Sequence, residues 1–344
     1  MDRSNIIEVI KHFFPVEELE KAEVKSIKTG LINNTFKIDL HTQKEYVLQK
    51  INTDVFPNPA GIQENIEAVG RYLKDDNYPK AVLSTVRTLK NELMHFDANR
   101  SVWRMFDYVP ESSHFDVVPS TKHAFEAARG LGEFHQYLSS FQSEKLTTPI
   151  QGFLDFQQRR SHFDTALKNG NQGRNRSAGM SIEFIESHRF ILDEYQKIEA
   201  SLPKRVIHGD PKISNFLFKE NSTDVLCLID WDTIMQGSVL YDFGDMVRSF
   251  TNTKEESDTN SSPIFDTNIF DAIKEGYLVH QKDMLSRVEL ENLLLGAKTV
   301  IYIQAMRFLT DYLKDDAYFK TSYANQNLDR TNNQIQLLEA LLNN

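Results

Sequence analysis

The chain has 344 residues, with 39 lysines and arginines against 49 aspartates and glutamates, so its formal net charge is −10. A domain holds roughly 100 to 200 residues, so this length predicts two domains or one large two-lobed unit. Such a charge is repelled by the phosphates of nucleic acids and by anionic lipids, which disfavours both as partners. The single cysteine, Cys227, lies in an apolar run and excludes a disulfide framework or a cysteine-based zinc site.

The N-terminal residues lack the apolar run of a signal peptide, and no window reaches the roughly 18 uncharged apolar residues that cross a bilayer. The most apolar stretch, residues 293–313, contains three charged side chains, which favours a helix packed inside a domain. We therefore expect a cytoplasmic protein without a membrane partner, present as a monomer or a weak homodimer.

The first third of the chain predicts a small antiparallel sheet with one helix. Residues 36–40 alternate apolar and polar side chains as a strand does, and residues 62–73 carry apolar side chains at helical spacing. The expected elements, in chain order, are a strand at 24–27, strands at 36–40 and 46–48 joined by a polar turn, a helix at 62–73, and strands at 82–89 and 101–109.

Pro110 and the polar residues after it indicate a connector, so we expect an N-terminal lobe at 1–110 and a C-terminal lobe at 111–344. The second lobe is mostly helical by its apolar periodicity. Its predicted elements are helices at 124–138, 182–200, 265–279, 290–313 and 333–342, two strands at 206–207 and 225–229 that pair with each other, and a polar surface loop at 251–262.

The densest group of polar residues lies at 206–218, between apolar, strand-like flanks. Asp210 and Asn215 have D-x-x-x-x-N spacing, in which a catalytic-loop aspartate accepts a hydroxyl proton and the asparagine holds Mg²⁺. Asp230 ends an apolar strand about twenty residues later, where a second metal-binding carboxylate is needed. Carboxylate and amide oxygens suit Mg²⁺. The pattern therefore predicts phosphoryl transfer from ATP with Mg²⁺.

A simpler interpretation exists for each residue alone, because aspartate and asparagine often cap turns. Asp210 and Asn215 together, preceded by His208 and Gly209 and followed by Asp230, favour the kinase-type site.

These residues and residues 228–232 resemble the signature of the aminoglycoside phosphotransferase and choline kinase superfamily, whose members share the protein-kinase-like fold. The resemblance implies an α+β, two-lobed protein with a small N-terminal antiparallel sheet plus helix and a larger, mainly helical C-terminal lobe. Within the superfamily the chain is more similar to the bacterial N-acetylhexosamine 1-kinases. The similar stretches are 30–36, 46–52, 208–215, 229–245, 307–313 and 327–330.

The resemblance also implies how ATP is held. A loop at 30–35 would cover the phosphates, and its candidate contacts are Gly30, Asn33, Asn34 and Thr35. Where relatives often place a phosphate-pairing lysine or arginine on the third strand, this chain has Gln49, followed by Lys50. Successive strand residues face opposite sides, so only one of the two can point at the nucleotide. Lys50 is the predicted contact, and Gln49 is the alternative.

The helix-borne partner of that lysine would be Glu64, with Glu67 as a weaker candidate. Residues 105–109, including Phe106 and Tyr108, occupy the position where the backbone of kinases reads adenine. An ordinary core strand is compatible with that role, because the adenine contacts are made by the main chain.

Residues 242–244 spell the DFG motif of protein kinases. The metal carboxylate should end the strand soon after the catalytic loop, which fits Asp230 better than Asp242. The resemblance implies that Asp242 supports the catalytic loop through hydrogen bonds, and a helix N-cap is the alternative. Asp232 would share a face with Asp230 on a continuing strand and is a candidate second-metal or supporting group. His208 is a further supporting candidate.

Substrate recognition is expected from the helical lobe. Arg307 lies in an apolar helix, where a guanidinium needs a polar partner, which could be a salt bridge or a ligand. The resemblance implies that Arg307 and Tyr318 contact a sugar, and that Asp155, in a stretch with Arg159 and Arg160, binds a sugar hydroxyl or simply caps a helix.

The predicted function is an ATP- and Mg²⁺-dependent small-molecule kinase of carbohydrate metabolism. It would transfer the γ-phosphoryl group to a sugar, at the anomeric hydroxyl of an N-acetylhexosamine. The alternatives are an aminoglycoside or amino-alcohol phosphotransferase, which the negative net charge would suit, and a catalytically silent nucleotide-binding pseudokinase.

Overall fold

The computed structural model describes residues 3–27, 32–41, 44–258 and 264–343. The chain divides into two compact units. Unit 1 consists of Met1–Ser113, Ser140–Gln151 and Leu217–Met235, and unit 2 of His114–Ser139, Gly152–Phe216 and Gln236–Asn344. The predicted phosphate contact Gly30 lies outside the described residues, as does the end of the predicted loop at 251–262.

Unit 1 contains the predicted antiparallel sheet. Its strands are β1 (Glu23–Ile27), β2 (Asn34–Asp39), β3 (Glu45–Lys50), β4 (Thr85–Val86), β5 (His95–Phe96) and β6 (Val102–Asp107). They follow the order β1-β2-β3-β6-β4, and β5 also pairs with β6. The strand predicted at 82–89 is reduced to two residues, because β4 and β5 share the edge of β6 that faces away from β3.

The alternation of side chains gives this sheet two different faces. On one face, Leu48, Trp103 and Met105 are buried in a hydrophobic core together with helix α1 (Arg3–Ile10). On the other face, Gln49 of β3 and Arg104 of β6 lie directly opposite each other in register. The sheet therefore separates an apolar side from a side that carries polar groups.

Helix α2 (Pro59–Asp75) confirms the helix predicted at 62–73. The side chain of Asn58 accepts a hydrogen bond from the backbone N–H of Gly61, and Pro59 occupies the first helical position. Asn65, buried on this helix, donates to the carbonyl of Ile234 at 3.0 Å. This bond ties the helix to the segment that follows Asp230.

The remaining strands of unit 1 form a three-stranded sheet of β7 (Ser112–Ser113), β9 (Phe216–Lys219) and β10 (Val225–Leu228), in the order β10-β9-β7. The prediction that residues 206–207 pair with 225–229 is wrong. Strand β10 pairs with β9, its neighbour across a short turn, and β8 (Arg205–Ile207) pairs with β11 (Met235–Gly237). Cys227 is buried in β10, and burial raises the pKa of its thiol to about 12.

Unit 2 is mainly helical, as predicted. Helix α3 packs along α9, and α11 packs against α8, α12 and α4. The helices are α3 (Thr121–Tyr137), α4 (Phe156–Asn169), α5 (Gln172–Ser177), α6 (Gly179–Ser187), α7 (Phe190–Glu199), α8 (Val239–Phe250), α9 (Thr267–Gln281), α10 (Arg287–Glu291), α11 (Leu293–Leu313) and α12 (Gln326–Leu342).

Two predicted helices are each two helices. The stretch 182–200 splits into α6 and α7, and 290–313 splits into α10 and α11. At each break a polar side chain reaches back to a carbonyl four residues earlier. The His188 ring nitrogen Nδ1 lies 2.8 Å from the Phe184 oxygen, and Asn292 donates to the Val288 oxygen at 2.8 Å. Both bonds satisfy carbonyls at a helix end and so stabilise the break.

Within the described part of the chain, α11 is the one helix whose length and apolar composition would suffice to cross a membrane. Of its most apolar window, 67% is buried inside the protein. This helix is the central packing element of unit 2.

Candidate active site

The predicted catalytic loop follows strand β8. Gly209 has a φ of 83°, a left-handed conformation that favours glycine, and it turns the chain sharply between His208 and Asp210. A short 3₁₀ turn, Ile213–Asn215, then leads into β9. The loop is therefore held at both ends by strands.

Asp242 holds the start of this loop. Its fully buried carboxylate accepts hydrogen bonds from the backbone N–H groups of His208 and Gly209, at 2.6 and 2.8 Å. The same carboxylate lies 2.9 Å from His135 Nε2, and His135 Nδ1 lies 2.9 Å from the Tyr277 hydroxyl. The backbone of the loop is thus fixed by a chain of buried polar groups.

The DFG-like triplet lies in the first turns of α8 rather than in a metal-binding loop. The N-cap of α8 is Ser238, not Asp242. A Cβ atom at Gly244 would lie 2.6 Å from the carbonyl of Gly296, so this glycine lets α8 approach α11 closely. The triplet therefore serves helix packing and loop support.

Asp210 and Asn215 lie together. The amide nitrogen of Asn215 donates to the backbone oxygen of Asp210 at 2.8 Å and to its carboxylate at 3.1 Å. This leaves the amide oxygen of Asn215 as the atom that can face a cation. Lys212 Nζ lies 2.9 Å from Asp210 Oδ2, and both side chains are about one-third exposed. The carboxylate is therefore accessible to a small molecule.

A second carboxylate, Asp245, lies near Asp210. Burial raises the pKa of Asp245; its ion pair with Arg248 opposes this shift, and the negative charge of Asp210 adds to it. Asp210 therefore lies near a second carboxylate, and a group of carboxylates suits a divalent cation or an amino group.

Asp230 follows strand β10 in unit 1. It has a φ of 63°, which ends the extended backbone and starts a short 3₁₀ turn, Trp231–Thr233. The strand does not continue to Asp232, so the two carboxylates are not placed on one strand face. Asp232 is instead buried and forms an ion pair with Arg104, whose Nη2 lies 2.5 Å from Asp232 Oδ1.

The candidate phosphate-loop residues are connected to this ion pair. Asn33 donates to Asp232 Oδ2 at 2.7 Å and accepts from the backbone N–H of Asn52 at 3.0 Å. Gln49 donates to the Thr35 hydroxyl at 3.3 Å. Asn34, by contrast, is exposed at the start of β2, opposite Lys50.

Lys50 lies on the other face of β3, with its Nζ 5.9 Å from the ring centroid of Trp103. The structure therefore brings Gln49, and not Lys50, to the face that carries Arg104 and Asp232. Neither candidate partner helix residue contacts Lys50: Glu64 is exposed, and Glu67 pairs with Arg87 at 3.1 Å.

The two candidate adenine-region residues lie at the end of β6. Phe106 is buried, with the guanidinium of Arg104 5.0 Å from its ring centroid. Tyr108 is half-buried, and Lys37 Nζ lies 4.0 Å from its ring centroid.

The substrate candidates come from three segments of unit 2. Arg307 of α11 is half-buried, donates to Gln304 at 3.0 Å, and lies 5.5 Å from the ring centroid of Phe319. Tyr318 is 59% exposed, and its backbone N–H donates to Asp311 at 2.8 Å. Asp155 is the N-cap of α4 and accepts from the backbone N–H of Gln158.

Arg159 joins this group. Burial lowers its pKa, and the positive charge of Arg307 adds to the effect, whereas Tyr318, Tyr241 and Asp155 oppose it. Its Nε atom is buried with no hydrogen-bond partner among the described residues. Two guanidinium groups close together favour a ligand rich in oxygen acceptors.

Three residues of the candidate site were not predicted from the sequence. Arg104 could have been noticed as an arginine inside the otherwise apolar strand 102–106, and Lys212 as a lysine two residues after Asp210. Asp245 had no signal beyond its place in the similar stretch 229–245, because its proximity to Asp210 depends on the packing of α8.

Comparison with known proteins identifies the family. A model of the family described as "Phosphotransferase enzyme family" (APH) matches residues 23–273, more than half of the chain.

Three solved structures share the fold over nearly the whole chain. A microcompartment-associated aminopropanol kinase is 13% identical, with a TM-score of 0.68 and coverage of 99% of this chain and 98% of its own. The amicoumacin kinase hAmiN, solved with AMP-PNP, Ca²⁺ and Ami, is 12% identical, with a TM-score of 0.64 and coverage of 98% and 93%. A choline kinase from Cryptosporidium parvum Iowa II is 13% identical, with a TM-score of 0.61 and coverage of 99% and 97%.

The predicted α+β, kinase-like fold is therefore confirmed. The matched family model covers both β8 with the catalytic loop and the sheet of unit 1. The chain belongs to the phosphotransferase enzyme family.

Proposed function

We propose that this phosphotransferase is a cytoplasmic, ATP- and Mg²⁺-dependent kinase that phosphorylates the anomeric hydroxyl of an N-acetylhexosamine. The observation that carries the proposal is the arrangement of Asp210 and Asn215 on a loop whose backbone is fixed by Asp242. A partly exposed carboxylate next to an amide oxygen is what phosphoryl transfer to an alcohol requires.

In this proposal Asp210 accepts the proton of the sugar hydroxyl. The hydroxyl oxygen forms a bond to the γ-phosphorus, the bond from that phosphorus to the bridging oxygen breaks, and ADP leaves with the electron pair. The amide oxygen of Asn215 and the carboxylate of Asp230 would hold Mg²⁺, as their oxygen donors suit this cation. When bound, the ion neutralises charge on the phosphates.

The nucleotide would be held by the N-terminal lobe, 1–110. Asn33, Asn34 and Thr35 would contact the phosphates, and the backbone of residues 105–109 would read adenine. Of the two alternatives on β3, we assign the phosphate side to Gln49, because it shares a face with Asp232. In support of a nucleotide, the amicoumacin kinase was solved with AMP-PNP and a divalent ion.

The choice of a sugar rests on Arg159 and Arg307. A neutral acceptor rich in hydroxyl and carbonyl oxygens can accept from both guanidinium groups, whereas a polycationic aminoglycoside would be repelled by them. Tyr318, largely exposed beside Phe319, offers an aromatic surface to a sugar ring.

One observation favours an amino-alcohol or aminoglycoside acceptor as the second candidate. The negative groups Asp210 and Asp245 lie near each other, in a chain whose net charge is −10. An ammonium group would be attracted there. The aminopropanol kinase and the choline kinase, which share the fold, are named for acceptors of this kind.

The deciding experiment is a measurement of Mg²⁺-dependent ADP release with GlcNAc, GalNAc, glucose, kanamycin and choline as acceptors. We expect turnover with the N-acetylhexosamines and none with 1-deoxy-GlcNAc, which lacks the anomeric hydroxyl. Phosphorus NMR of the product should show coupling to the anomeric proton. Turnover with kanamycin or choline alone would contradict the sugar proposal and favour an amino-alcohol or aminoglycoside acceptor. Tight ATP binding with no turnover would favour a pseudokinase.

A variant tests the arginine argument. Arg307→Met should raise KM for the sugar roughly tenfold to a hundredfold, since a hydrogen bond from a charged donor is lost, and should leave KM for ATP nearly unchanged. Arg330→Met is the matched control, because Arg330 lies 5.6 Å from the ring centroid of Phe308 in a similar stacked arrangement. Equal sugar KM values in both variants would contradict the assignment.

A further inference from the structure

Arg104 is a buried cation in the middle of an apolar strand. Its side chain is 2% exposed, and its neighbours along β6, Trp103 and Met105, are core residues of the opposite face. A buried guanidinium is costly unless each of its donors finds an acceptor. Each of the three guanidinium nitrogens of Arg104 therefore needs an acceptor.

Two of the three nitrogens are held by protein. Arg104 Nε and Nη2 donate to Gln49 Oε1 at 3.0 and 2.8 Å, and Nη2 lies 2.5 Å from Asp232 Oδ1. The third nitrogen, Nη1, is buried and has no hydrogen-bond partner among the residues that the structure describes. Gln49 and Asp232 thus fix the guanidinium while one donor group is left unused.

The two side chains that hold Arg104 also form hydrogen bonds with other groups. Asp232 Oδ2 accepts from Asn33, and the amide nitrogen of Gln49 donates to Thr35. Asn33 and Thr35 belong to the segment that the proposed function assigns to the phosphates of ATP. The unused donor is therefore part of one connected network with the candidate phosphate loop.

We propose that Arg104 binds a phosphate oxygen of the nucleotide and supplies the cation that β3 lacks at Gln49. The inference rests on the proposed function, because it takes ATP as the ligand. A guanidinium matches phosphate geometry and keeps its charge when buried, so a phosphate oxygen would satisfy Nη1 and add a charge-assisted hydrogen bond. In this arrangement Gln49 and Asp232 are positioning residues that hold the guanidinium in place.

A purely structural ion pair between β6 and the segment after β10 is the competing explanation. The two explanations differ in their dependence on ligand phosphate. A phosphate contact affects ATP and ADP but not adenosine, whereas a structural role affects all three ligands together or none of them.

The experiment measures dissociation constants of ATP, ADP, AMP and adenosine by calorimetry, with Mg²⁺ present, for the full-length wild type and variants. Arg104→Met should lower the affinity for ATP roughly tenfold to a hundredfold and leave adenosine binding unchanged. Arg87→Met is the matched control, since Arg87 is an exposed arginine of the same unit that pairs with Glu67. It should change no dissociation constant.

Two further variants keep the test decisive if Arg104→Met does not fold, because they retain a positive charge beside Asp232. Arg104→Lys keeps the charge but loses the fork to Gln49, and we expect an intermediate loss of ATP affinity with adenosine unaffected. The double variant Arg104→Met with Gln49→Lys moves the cation to the register partner on β3. It should recover most of the preference for ATP over adenosine.

The proposal is overturned if Arg104→Met, or Arg104→Lys where the former does not fold, keeps the wild-type ratio of ATP to adenosine affinity. It is equally overturned if ATP and adenosine weaken in parallel. If the wild-type protein binds no ATP at all, the proposed function itself is contradicted. Failure of the Arg104 proposal and failure of the proposed function are therefore distinguishable.

Discussion

The polar networks of unit 1 and unit 2 use the same kinds of groups but differ in how completely those groups are satisfied. In unit 2, the carboxylate of Asp242 has two backbone N–H donors and His135 around it. In unit 1, Arg104 donates to Gln49 and forms an ion pair with Asp232, yet its Nη1 atom has no hydrogen-bond partner among the described residues. A saturated network fixes a backbone, whereas a network with an unused donor is suited to a ligand.

This difference predicts that substitutions in the two networks have separate effects. Changes around the catalytic loop should lower turnover and leave nucleotide affinity intact. Changes around Arg104 should lower nucleotide affinity. The following variants, from the largest expected effect to the smallest, test that separation.

Asp210→Asn should reduce kcat by roughly a hundredfold to ten-thousandfold, because an amide cannot take the hydroxyl proton. Its oxygen can still accept from Asn215, so the loop geometry and the dissociation constant of ATP should hardly change. Initial rates on the accepted sugar, together with ATP titrations, provide the measurement.

Asp193→Asn is the control for this variant, since Asp193 is an exposed aspartate of α7 that pairs with Arg160. Wild-type turnover by Asp210→Asn would show that Asp210 is not the base. A loss of ATP affinity as large as that of Arg104→Met would break the separation between the networks.

Asp242→Asn should cost about 1–3 kcal/mol in the free energy of unfolding, since an amide group set against two N–H donors leaves one of them unsatisfied. We also expect a lower kcat with an unchanged KM for ATP. Urea denaturation and steady-state kinetics check both.

The control is Asp266→Ala, which removes the side-chain acceptor at the N-cap of α9. That variant should lose stability without losing turnover. If both variants lost stability equally and kept full turnover, Asp242 would have no role in shaping the catalytic loop.

The smallest effect on turnover is expected from Glu289→Gln. Burial would raise the pKa of Glu289, but hydrogen bonds from Arg205 and Ser286 hold it below the ordinary value of 4.5. The carboxylate therefore stabilises the folded state above about pH 4.5, and this contribution disappears as the pH falls through the lowered pKa. Arg205 lies in β8, directly before the catalytic loop.

Glu289→Gln should thus lower the free energy of unfolding by about 1–3 kcal/mol at neutral pH. The difference from wild type should narrow on acidification, and kcat should stay close to wild type. Urea denaturation of both proteins between neutral pH and pH 3 measures this difference in the free energy of unfolding. A difference that widened in acid would show that the sign of the pKa shift is wrong.

Local patterns predicted much of this fold. The hairpin of β2 and β3, and helix α2, follow from alternation and helical spacing within a few residues, so they need no knowledge of the rest of the chain. The pairing partners of the strands were harder to predict. The partner of β8 is β11, almost thirty residues later, and nothing in residues 206–207 specifies that choice.

The breaks at His188 and Asn292 were missed for a related reason. The apolar periodicity continues through each break, and the split depends on a side chain bonding back to a carbonyl. Such competition between side chain and backbone leaves no trace in hydrophobic spacing.

By itself, the sequence predicted the kind of chemistry: the spacing of Asp210, Asn215 and Asp230 predicts a base and oxygen donors for a cation, because such a prediction depends on residue type and order. Only the tertiary structure decided which residue of β3 lies on the same face as Arg104. Lys50 and Gln49 are adjacent in the chain, but the pleat turns the lysine towards Trp103 and sets the glutamine opposite Arg104. Strand register, a property of two chain segments at once, made that decision.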